Sequence, residues 1–491
     1  MVEDSREAGP GSVFIARPGT RTDGARFIAE ALARGASAVA LPAGSPVPAG
    51  VPAVFLDDIA VGAARLAEAA CGWPSREVAL FGVTGTNGKT TTAFLTQQLL
   101  AAAGIRCGLV STVHIDDGRE VRTARLTTPS SVEISAALAR MVAHGCRAAA
   151  MEVSSHALDQ GRASALRFGV AAFTNLTGDH LDYHGTLERY AEAKALLFAG
   201  LDADAVALVN ADDPAHDRMV RDCRARVVRI SLGGAGRDRA DVVARLTAST
   251  IRGMRADIAS PWGPMEIATG LIGPHNLWNL AIALCAAIEM GAPADGCIAA
   301  MGDLAAPPGR LEPVRIDAGD PGFAVFVDYA HTDDALTRVL AAARPLVAGT
   351  GGCVRVLFGC GGDRDRTKRP RMAAAACAGA DAVVLTSDNP RTEDPGAIIK
   401  DALAGVPKAD RERVVIEPDR RAAIGVLIDS AQEGDILVIA GKGHETYQLL
   451  PDGKGGIDRR DFDDRAVAAE ALASRWNRDG AGSSAPPQRA R

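Results

Sequence analysis

Short apolar runs alternate along this chain with stretches whose apolar positions recur every three or four residues, a pattern that predicts strands interleaved with helices. Before residue 70, strands are predicted at 12–16, 38–41 and 53–56, with a helix at 25–34 and a Gly/Pro-rich stretch at 42–52. Cys71-Gly72-Trp73-Pro74-Ser75 reads as a boundary. A short buried strand at 78–83 follows, then a Gly/Thr loop, a helix at 90–103 and a strand at 107–111. That succession is a βαβ unit. The same alternation is expected to run to about residue 310, with strands at 148–153, 170–175 and 205–210. Pro307-Pro308-Gly309 reads as a second boundary, and a third α/β unit carries strands at 323–328, 354–359, 382–386, 413–417 and 436–440. The expected domains are therefore 1–75, 76–310 and 311–475. The Gly/Ser/Pro/Arg-rich tail, 476–491, is expected to be disordered.

Composition changes this picture little. The 491 residues match about three domains at ~150 residues each. A net charge of -6 argues against a general affinity for nucleic acid or anionic membranes. The nine cysteines are dispersed without a CxxC pair, as expected for reduced thiols in the cytoplasm. Neither a charged-then-apolar leader nor an apolar run of about 18 residues is seen, so secretion and membrane insertion are not expected.

The Gly/Thr loop carries the first chemistry. Thr84-Gly85-Thr86-Asn87-Gly88-Lys89-Thr90 lies between a strand and a helix. Glycines let such a loop fold tightly with its N–H groups facing an anion, and the helix N-terminus adds favourable partial charge. Lys89 can reach outer phosphates and the Thr90 hydroxyl can ligate Mg²⁺. The strict P-loop spacing puts glycine at position 83, where this chain has Val83. The loop leaves the identity of the nucleotide open, and a kinase, an ATPase switch or a ligase could use it.

Further motifs narrow the choice. Met151-Glu152-Val153-Ser154-Ser155-His156 follows one predicted strand, and Asn175-Leu176-Thr177-Gly178-Asp179-His180-Leu181-Asp182-Tyr183-His184-Gly185 follows the next. A carboxylate and an imidazole at neighbouring strand ends can hold metal ions against phosphates.

With TGTNGKTTT at 84–92, these segments resemble the Mur ligases, which build the peptide of bacterial cell wall. The resemblance extends over nearly the whole chain through YAEAKALLF at 190–198, GPHNLWNLAIA at 273–283, PGRLEPV at 308–314 and DYAHTDDAL at 328–336. Within the family it points to members that add the third residue, through GCGGDRDRTKRP at 359–370, SDNPRTEDP at 387–395 and GKGHETYQ at 441–448.

The resemblance implies an α/β fold of three domains: a small N-terminal uridine-binding domain, a central P-loop ATPase domain with a mostly parallel sheet, and a C-terminal Rossmann-like domain. It implies ATP and Mg²⁺ as cofactors, with Gly85, Thr86, Asn87, Gly88, Lys89, Thr90 and Thr91 around the phosphates. Thr90, Glu152, His180 and Lys194 would serve the metal ions, Lys194 as a carbamate. Carbamylation turns an ammonium that would repel Mg²⁺ into a carboxylate-like ligand. Asn276 and Asn279 would meet the base, Arg310 the γ-phosphate, and Asp328 and His331 the nucleotide. Lys89, Lys194, Arg310 and His331 form the implied catalytic set. Ser5, Thr127, Thr128, Ser154, Gln160 and Arg162 match positions that hold UDP-N-acetylmuramoyl-L-alanyl-D-glutamate. Departures from the pattern are His114 for glycine, Leu126 for a polar residue, His275 for an aromatic one, and an unfamiliar loop near 17–24.

The third domain is expected to choose the amine. Relatives that add meso-diaminopimelate carry a DNPR motif, here Asp388-Asn389-Pro390-Arg391, and lysine-adding relatives lack its arginine. Diaminopimelate has a second carboxylate at its far end, which a guanidinium can bind with two parallel hydrogen bonds. Arg364, Gly441 and Glu445 complete the implied site, Arg364 for a carboxylate and Glu445 for an ammonium. The implied reaction is attack of the D-glutamate carboxylate on the γ-phosphate, then capture of the acyl phosphate by the amine. A lysine-adding ligase, a folylpolyglutamate-type ligase and a non-catalytic nucleotide-binding paralogue are the alternatives. A monomer is expected.

Overall fold

The computed structural model describes residues 1–18, 23–316 and 319–478. The chain divides into two compact units. The first comprises Met1–Leu246, Ala256–Ile267 and Asn276–Leu304; the second comprises Thr247–Arg255, Ala268–His275 and residues from 305 onward.

The first three strands, β1 (Val13–Ile15), β2 (Ala38–Pro42) and β3 (Ala53–Leu56), form a parallel sheet in that order. The helix expected at 25–34 starts with a 3₁₀ turn, Gly24–Phe27, and becomes α-helical at Ile28–Ala33. The cause is local: the Asp23 side chain caps Ala25 N–H and tightens the entry. The departure noted near 17–24 falls partly on 19–22, outside the described residues. The final helix, Asp464–Arg478, takes in 476–478 of the expected tail, and the rest lies outside the described residues.

An eleven-stranded sheet contains β4 (Ala79–Thr84), β5 (Cys107–Val110), β6 (His114–Asp116), β7 (Val121–Thr123), β8 (Ala148–Glu152), β9 (Val170–Phe173), β10 (Val206–Asn210), β11 (Arg226–Ser231), β12 (Val242–Thr250), β13 (Gly253–Ala259) and β14 (Met265–Thr269). Their spatial order is β14-β13-β12-β11-β10-β9-β4-β8-β5-β6-β7. From β12 to β5 the pairing is parallel, and β6 and β7 add an antiparallel edge. The central strands are short and almost wholly buried, which is why they read as continuous apolar runs. Strand–helix alternation was expected up to residue 310; three consecutive strands, β12 to β14, interrupt it. In β13 and β14 the signal is period two: in β13, Met254, Ala256 and Ile258 are buried while Arg255 and Asp257 are exposed.

The second unit carries a six-stranded sheet: β15 (Glu312–Pro313), β16 (Ala324–Asp328), β17 (Val354–Cys360), β18 (Ala382–Ser387), β19 (Val414–Ile416) and β20 (Ile436–Ala440), in the order β15-β16-β20-β17-β18-β19. All pairs are parallel except β15–β16. Helices cover both faces. Leu336, Leu340 and Met372 pack on one side, and Ile424, Leu427, Val467 and Leu472 on the other. This leaves the carboxyl ends of β16, β20, β17 and β18 together on one edge, where open α/β sheets present their ligand loops.

Candidate active site

In the first unit the phosphate loop joins β4 to the helix Lys89–Ala102. Gly85 has φ +146° and Gly88 φ +86°; a Cβ would lie 1.9 Å from Thr174 Oγ1 at the first and 2.3 Å from Asn279 Oδ1 at the second. Only glycine fits either place. Val83 needs no such freedom: it is a buried β-strand residue paired with Glu152 and Ala172.

The loop is fastened to the segment after β9. Thr86 N–H donates to Asn175 O (2.8 Å), Asn87 N–H to Asn175 Oδ1 (3.0 Å), and Thr174 Oγ1 to Asn87 O (2.5 Å). Lys89 Nζ donates to Gly85 O (2.8 Å) and Thr86 O (2.9 Å). Lys194 Nζ, nearly wholly buried, donates to Gly85 O as well (2.9 Å) and lies 4.2 Å from the centre of the Tyr190 ring. Burial, and secondarily Lys89, drives the Lys194 amine far below its ordinary pKa. Thr91 is buried beside the loop's helix start. Asn276 and Asn279 are buried and bonded to each other (3.2 Å), with Asn279 Oδ1 also near Thr92 Oγ1 (3.4 Å).

Thr90 Oγ1 donates to Glu152 Oε2 (3.0 Å), and Thr112 N–H donates to Glu152 Oε1 (2.7 Å). Glu152 is thus a buried carboxylate at a strand's end, facing a hydroxyl on the phosphate-loop helix. A hydroxyl and one carboxylate suit Mg²⁺, which is held by one or two carboxylates plus substrate phosphates and retains several waters. No group of three or more His, Cys, Asp or Glu side chains able to hold a metal occurs among the described residues. The donor set therefore fits a nucleotide-borne Mg²⁺ better than an all-protein cage. His180 stands apart from Glu152 in its contacts: it has φ +54°, packs 4.8 Å from the His156 ring and 6.1 Å from Tyr190, and is half exposed.

The positions implied for the UDP-linked substrate largely cluster. Thr127 Oγ1 accepts from Thr112 Oγ1 (3.0 Å) and Thr128 Oγ1 donates to Glu152 O (2.8 Å). Thr128 Oγ1 also accepts from Ser154 N–H (3.0 Å). Arg162 reaches Thr128 O (2.8 Å) and Gln160 Oε1. Burial, then Arg17, lowers the Arg162 pKa. Ser5 is not part of this group; its hydroxyl donates to Glu30 (2.9 Å).

In the second unit, loops after β16, β17, β18 and β20 converge. Asp328 ends β16 and accepts N–H bonds from Leu311 (2.8 Å) and Ala330 (2.9 Å). Desolvation raises its pKa against the opposing pull of Arg310. Arg310 lies over Tyr329 at 5.2 Å, and its buried Nε has no hydrogen-bond partner among the described residues. A buried guanidinium nitrogen without an acceptor is costly unless a ligand supplies one. His331 Nδ1 meets Tyr329 O (2.9 Å), and burial lowers its pKa.

Asp388 and Asn389 follow β18; Gly441 and Glu445 follow β20. Asn389 Nδ2 donates to Glu445 Oε2 (2.8 Å). Lys442, wholly buried, donates to Asn389 Oδ1 (3.1 Å) and Glu445 Oε2 (3.3 Å), and its Nζ is 3.8 Å from Asp388 Oδ1. Gly441, at φ +117°, donates its N–H to Asp328 O (3.1 Å). Pro390 O accepts the Glu393 N–H (3.1 Å). Arg391, at φ +57°, spends Nη1 on Gly362 O (2.7 Å). Arg364 Nη1 donates to Asp363 O (3.2 Å). Beneath these loops the fully buried Arg420–Asp464 pair (2.6 Å and 2.8 Å) also donates to Ser387 O and Ala440 O, tying the ends of β18 and β20 together.

Sequence reasoning did not assign Thr112, Thr174, Asn175, Tyr190 or Lys442. Asn175, Tyr190 and Lys442 stand inside motifs already recognised; Thr112 and Thr174 carry no signal before their neighbours in space are known.

A glycine-built phosphate cradle on the carboxyl edge of a parallel sheet places the first unit among P-loop nucleotide-binding proteins. Models described as Mur ligase family, catalytic domain; Mur ligase middle domain; and Mur ligase, glutamate ligase domain match residues 2–68, 83–287 and 309–443 respectively. A relative from Gloeobacter violaceus, UDP-N-acetylmuramoyl-L-alanyl-D-glutamate--2,6-diaminopimelate ligase, is 44% identical over 97% of this chain and 94% of its own. A ligase of the same description from Geobacillus kaustophilus is 43% identical over 96% of this chain and 94% of its own. A solved structure of UDP-N-acetylmuramoyl-L-alanyl-D-glutamate--2,6-diaminopimelate ligase superposes with a TM-score of 0.70 at 35% identity, covering 96% of this chain and 94% of that one. The chain belongs to the Mur ligase family.

Proposed function

We propose that this chain is an ATP-dependent ligase that joins meso-diaminopimelate to the D-glutamate carboxylate of UDP-N-acetylmuramoyl-L-alanyl-D-glutamate, a step in peptidoglycan precursor synthesis. The observation that carries the choice of amine is Arg391. One of its nitrogens is held by Gly362 O, while Nε and Nη2 have no hydrogen-bond partner among the described residues. That free side of the fork suits the distal carboxylate of diaminopimelate. A lysine side chain would bring an ammonium to it instead. Near Arg391, Asn389 carries Glu445, whose carboxylate suits an ammonium of the amine substrate.

In the reaction, a carboxylate oxygen of D-glutamate attacks the γ-phosphorus and ADP leaves. The amine nitrogen then attacks the acyl carbon and phosphate leaves. Lys89 turns outward from its loop carbonyls to the phosphates, and Arg310 supplies its unpartnered Nε to the transferring group. Thr90 and Glu152 would hold Mg²⁺, which when bound neutralises phosphate charge. The buried Lys194 amine favours its uncharged form, the form that captures CO₂, consistent with a carbamate at this position. Thr127, Thr128, Ser154, Gln160 and Arg162 would bind the UDP-linked substrate. Asn276 and Asn279 would meet the base, Asp328 and His331 the nucleotide, and Ser5 the uridine after leaving Glu30.

Three domains at 1–75, 76–310 and 311–475 accord with the sheets, since the three-stranded sheet lies in the first segment, the eleven-stranded in the second, and the six-stranded and a two-stranded one in the third. No helix among the described residues is long and apolar enough to cross a membrane, in keeping with a cytoplasmic enzyme. The test is ADP release with ATP, Mg²⁺ and the UDP-dipeptide, comparing meso-diaminopimelate with L-lysine. Turnover is expected with diaminopimelate and little with lysine. Preference for lysine would remove the role given to Arg391, and no turnover with either amine would remove the ligase reading.

A further inference from the structure

Two residues other than glycine adopt left-handed backbone in facing loops: Asp363 (φ +52°) after β17 and Arg391 (φ +57°) after β18. Each such residue costs roughly 1–2 kcal/mol, so surrounding bonds must hold it. The bonds here are reciprocal. The Asp363 carboxylate accepts the Thr392 N–H (3.1 Å) and the Thr392 hydroxyl (2.8 Å and 2.9 Å to its two oxygens). In return Asp363 N–H donates to Glu393 (2.5 Å), and Gly362 N–H donates to Asn389 O (2.9 Å). Glu393 is itself gripped by the buried Arg369 (2.8 Å and 3.1 Å), which also reaches Asp401 (2.9 Å).

The two loops so fixed carry the guanidiniums of the amine site, Arg364 on the one after β17 and Arg391 on the one after β18. Arg391 Nη1 hangs from Gly362 O, and Arg364 Nη1 from Asp363 O. A Cβ built on Gly361 would lie 3.2 Å from Arg391 Nη1 and 3.8 Å from Arg364 Cγ, so the two side chains flank one glycine.

We infer that Asp363 and Thr392 are positioning residues that set the amine specificity of this enzyme: their clamp holds Arg391 in its left-handed conformation and aims the free side of its fork at the distal carboxylate of the amine substrate. The inference rests on the role proposed above for Arg391. A one-residue change in direction at Arg391 displaces the guanidinium by an ångström or more, and misplacement on the order of 1 Å can cost about 10²-fold. The hydroxyl of Thr392 is the element a substitution can remove with least change of volume.

The experiment is steady-state kinetics on the full chain with ATP, Mg²⁺ and the UDP-dipeptide, for Thr392→Val, Thr392→Ser, Arg391→Ala and the double variant Thr392→Val/Arg391→Ala. Thr392→Val is expected to raise the KM for meso-diaminopimelate about tenfold, a modest part of the misplacement cost, while kcat and the KM for ATP change less than about twofold. Thr392→Ser restores the hydroxyl and should recover most of the loss. In the Arg391→Ala background Thr392→Val should add nothing further. Should Thr392→Val fold poorly by its unfolding midpoint, Asp363→Gly carries the same expectation, because it removes both oxygens that accept from Thr392 while tolerating the positive φ at this position. An unchanged KM for diaminopimelate, a uniform fall in kcat, or an undiminished effect on top of Arg391→Ala would each overturn the inference and leave the role of Arg391 standing. An Arg391→Ala variant with wild-type KM for diaminopimelate would overturn both.

Discussion

Replacing Gly85 by alanine tests whether the phosphate loop owes its shape to a missing side chain. A Cβ there would stand 1.9 Å from Thr174 Oγ1 and 3.1 Å from both N and O of Asn175, at φ +146°. Thr174 cannot turn aside freely, since it is buried and its hydroxyl bonds Asn87 O (2.5 Å) and Thr84 O (3.3 Å). The strained backbone costs about 1–3 kcal/mol. Losing the hydroxyl's bonds and leaving a buried acceptor costs about 1–3 kcal/mol more. With partial relaxation the sum is about 3 kcal/mol, which for a folded unit of this size lowers Tm by roughly 6–12 °C. The assay is thermal unfolding with and without Mg-ADP. Wild-type protein should gain stability with nucleotide, about 2.7 kcal/mol at a hundredfold excess over Kd. The variant should lose both the basal stability and most of that gain, because the N–H groups of residues 85–90 no longer share one focus. Adding Thr174→Gly clears the obstructing hydroxyl and should return part of the basal stability. An apparent Tm within about 2 °C of wild type, with a full nucleotide shift, would refute the reasoning.

Three other outcomes follow from buried charge. Asp464→Ala leaves Arg420 buried without its carboxylate and should cost about 3–5 kcal/mol in denaturant unfolding, whereas Arg420→Met/Asp464→Leu should recover most of it; a double variant no better than the single would contradict this. Hydrogen bonding from Arg369 holds Glu393 down at about 2 from an ordinary 4.5. Its folded pKa lies below its unfolded one, so its contribution is present above about 4.5 and lost as pH falls toward 2. Glu393→Gln should flatten the stability curve across that window, and an unchanged acid limb would argue against the pairing. Depleting CO₂ should slow turnover and bicarbonate should restore it, with Lys194→Arg unresponsive to either; a wild-type rate indifferent to bicarbonate would count against the carbamate.

Local sequence was enough for most strands of the parallel sheets, because a strand buried on both faces must be apolar along its whole length; β11, with an arginine at 226 and another at 229 and its first residues partly exposed, was not singled out. It was enough for the phosphate loop too, since the glycines, Lys89 and Thr90 are adjacent in the chain and their roles depend on spacing. It carried the DNPR and GKGHE motifs as markers of amine choice. β13 and β14 carry period-two alternation, whereas β12 is exposed along most of its length, and a continuing helix–strand rhythm was expected there.

Tertiary structure alone decided how distant groups are paired. Thr174 became the reason Gly85 must be glycine, and Asn279 the reason for Gly88, across gaps of 89 and 191 residues. Lys442 turned out to be the buried cation beneath Asn389 and Glu445, and Arg420 the tie between two strand ends. Ser5 was found on Glu30, away from the cluster around Thr128. Secondary structure and loop chemistry follow from neighbours along the chain, whereas hydrogen-bond partners, burial and the pKa shifts they cause depend on which strand ends the fold brings side by side.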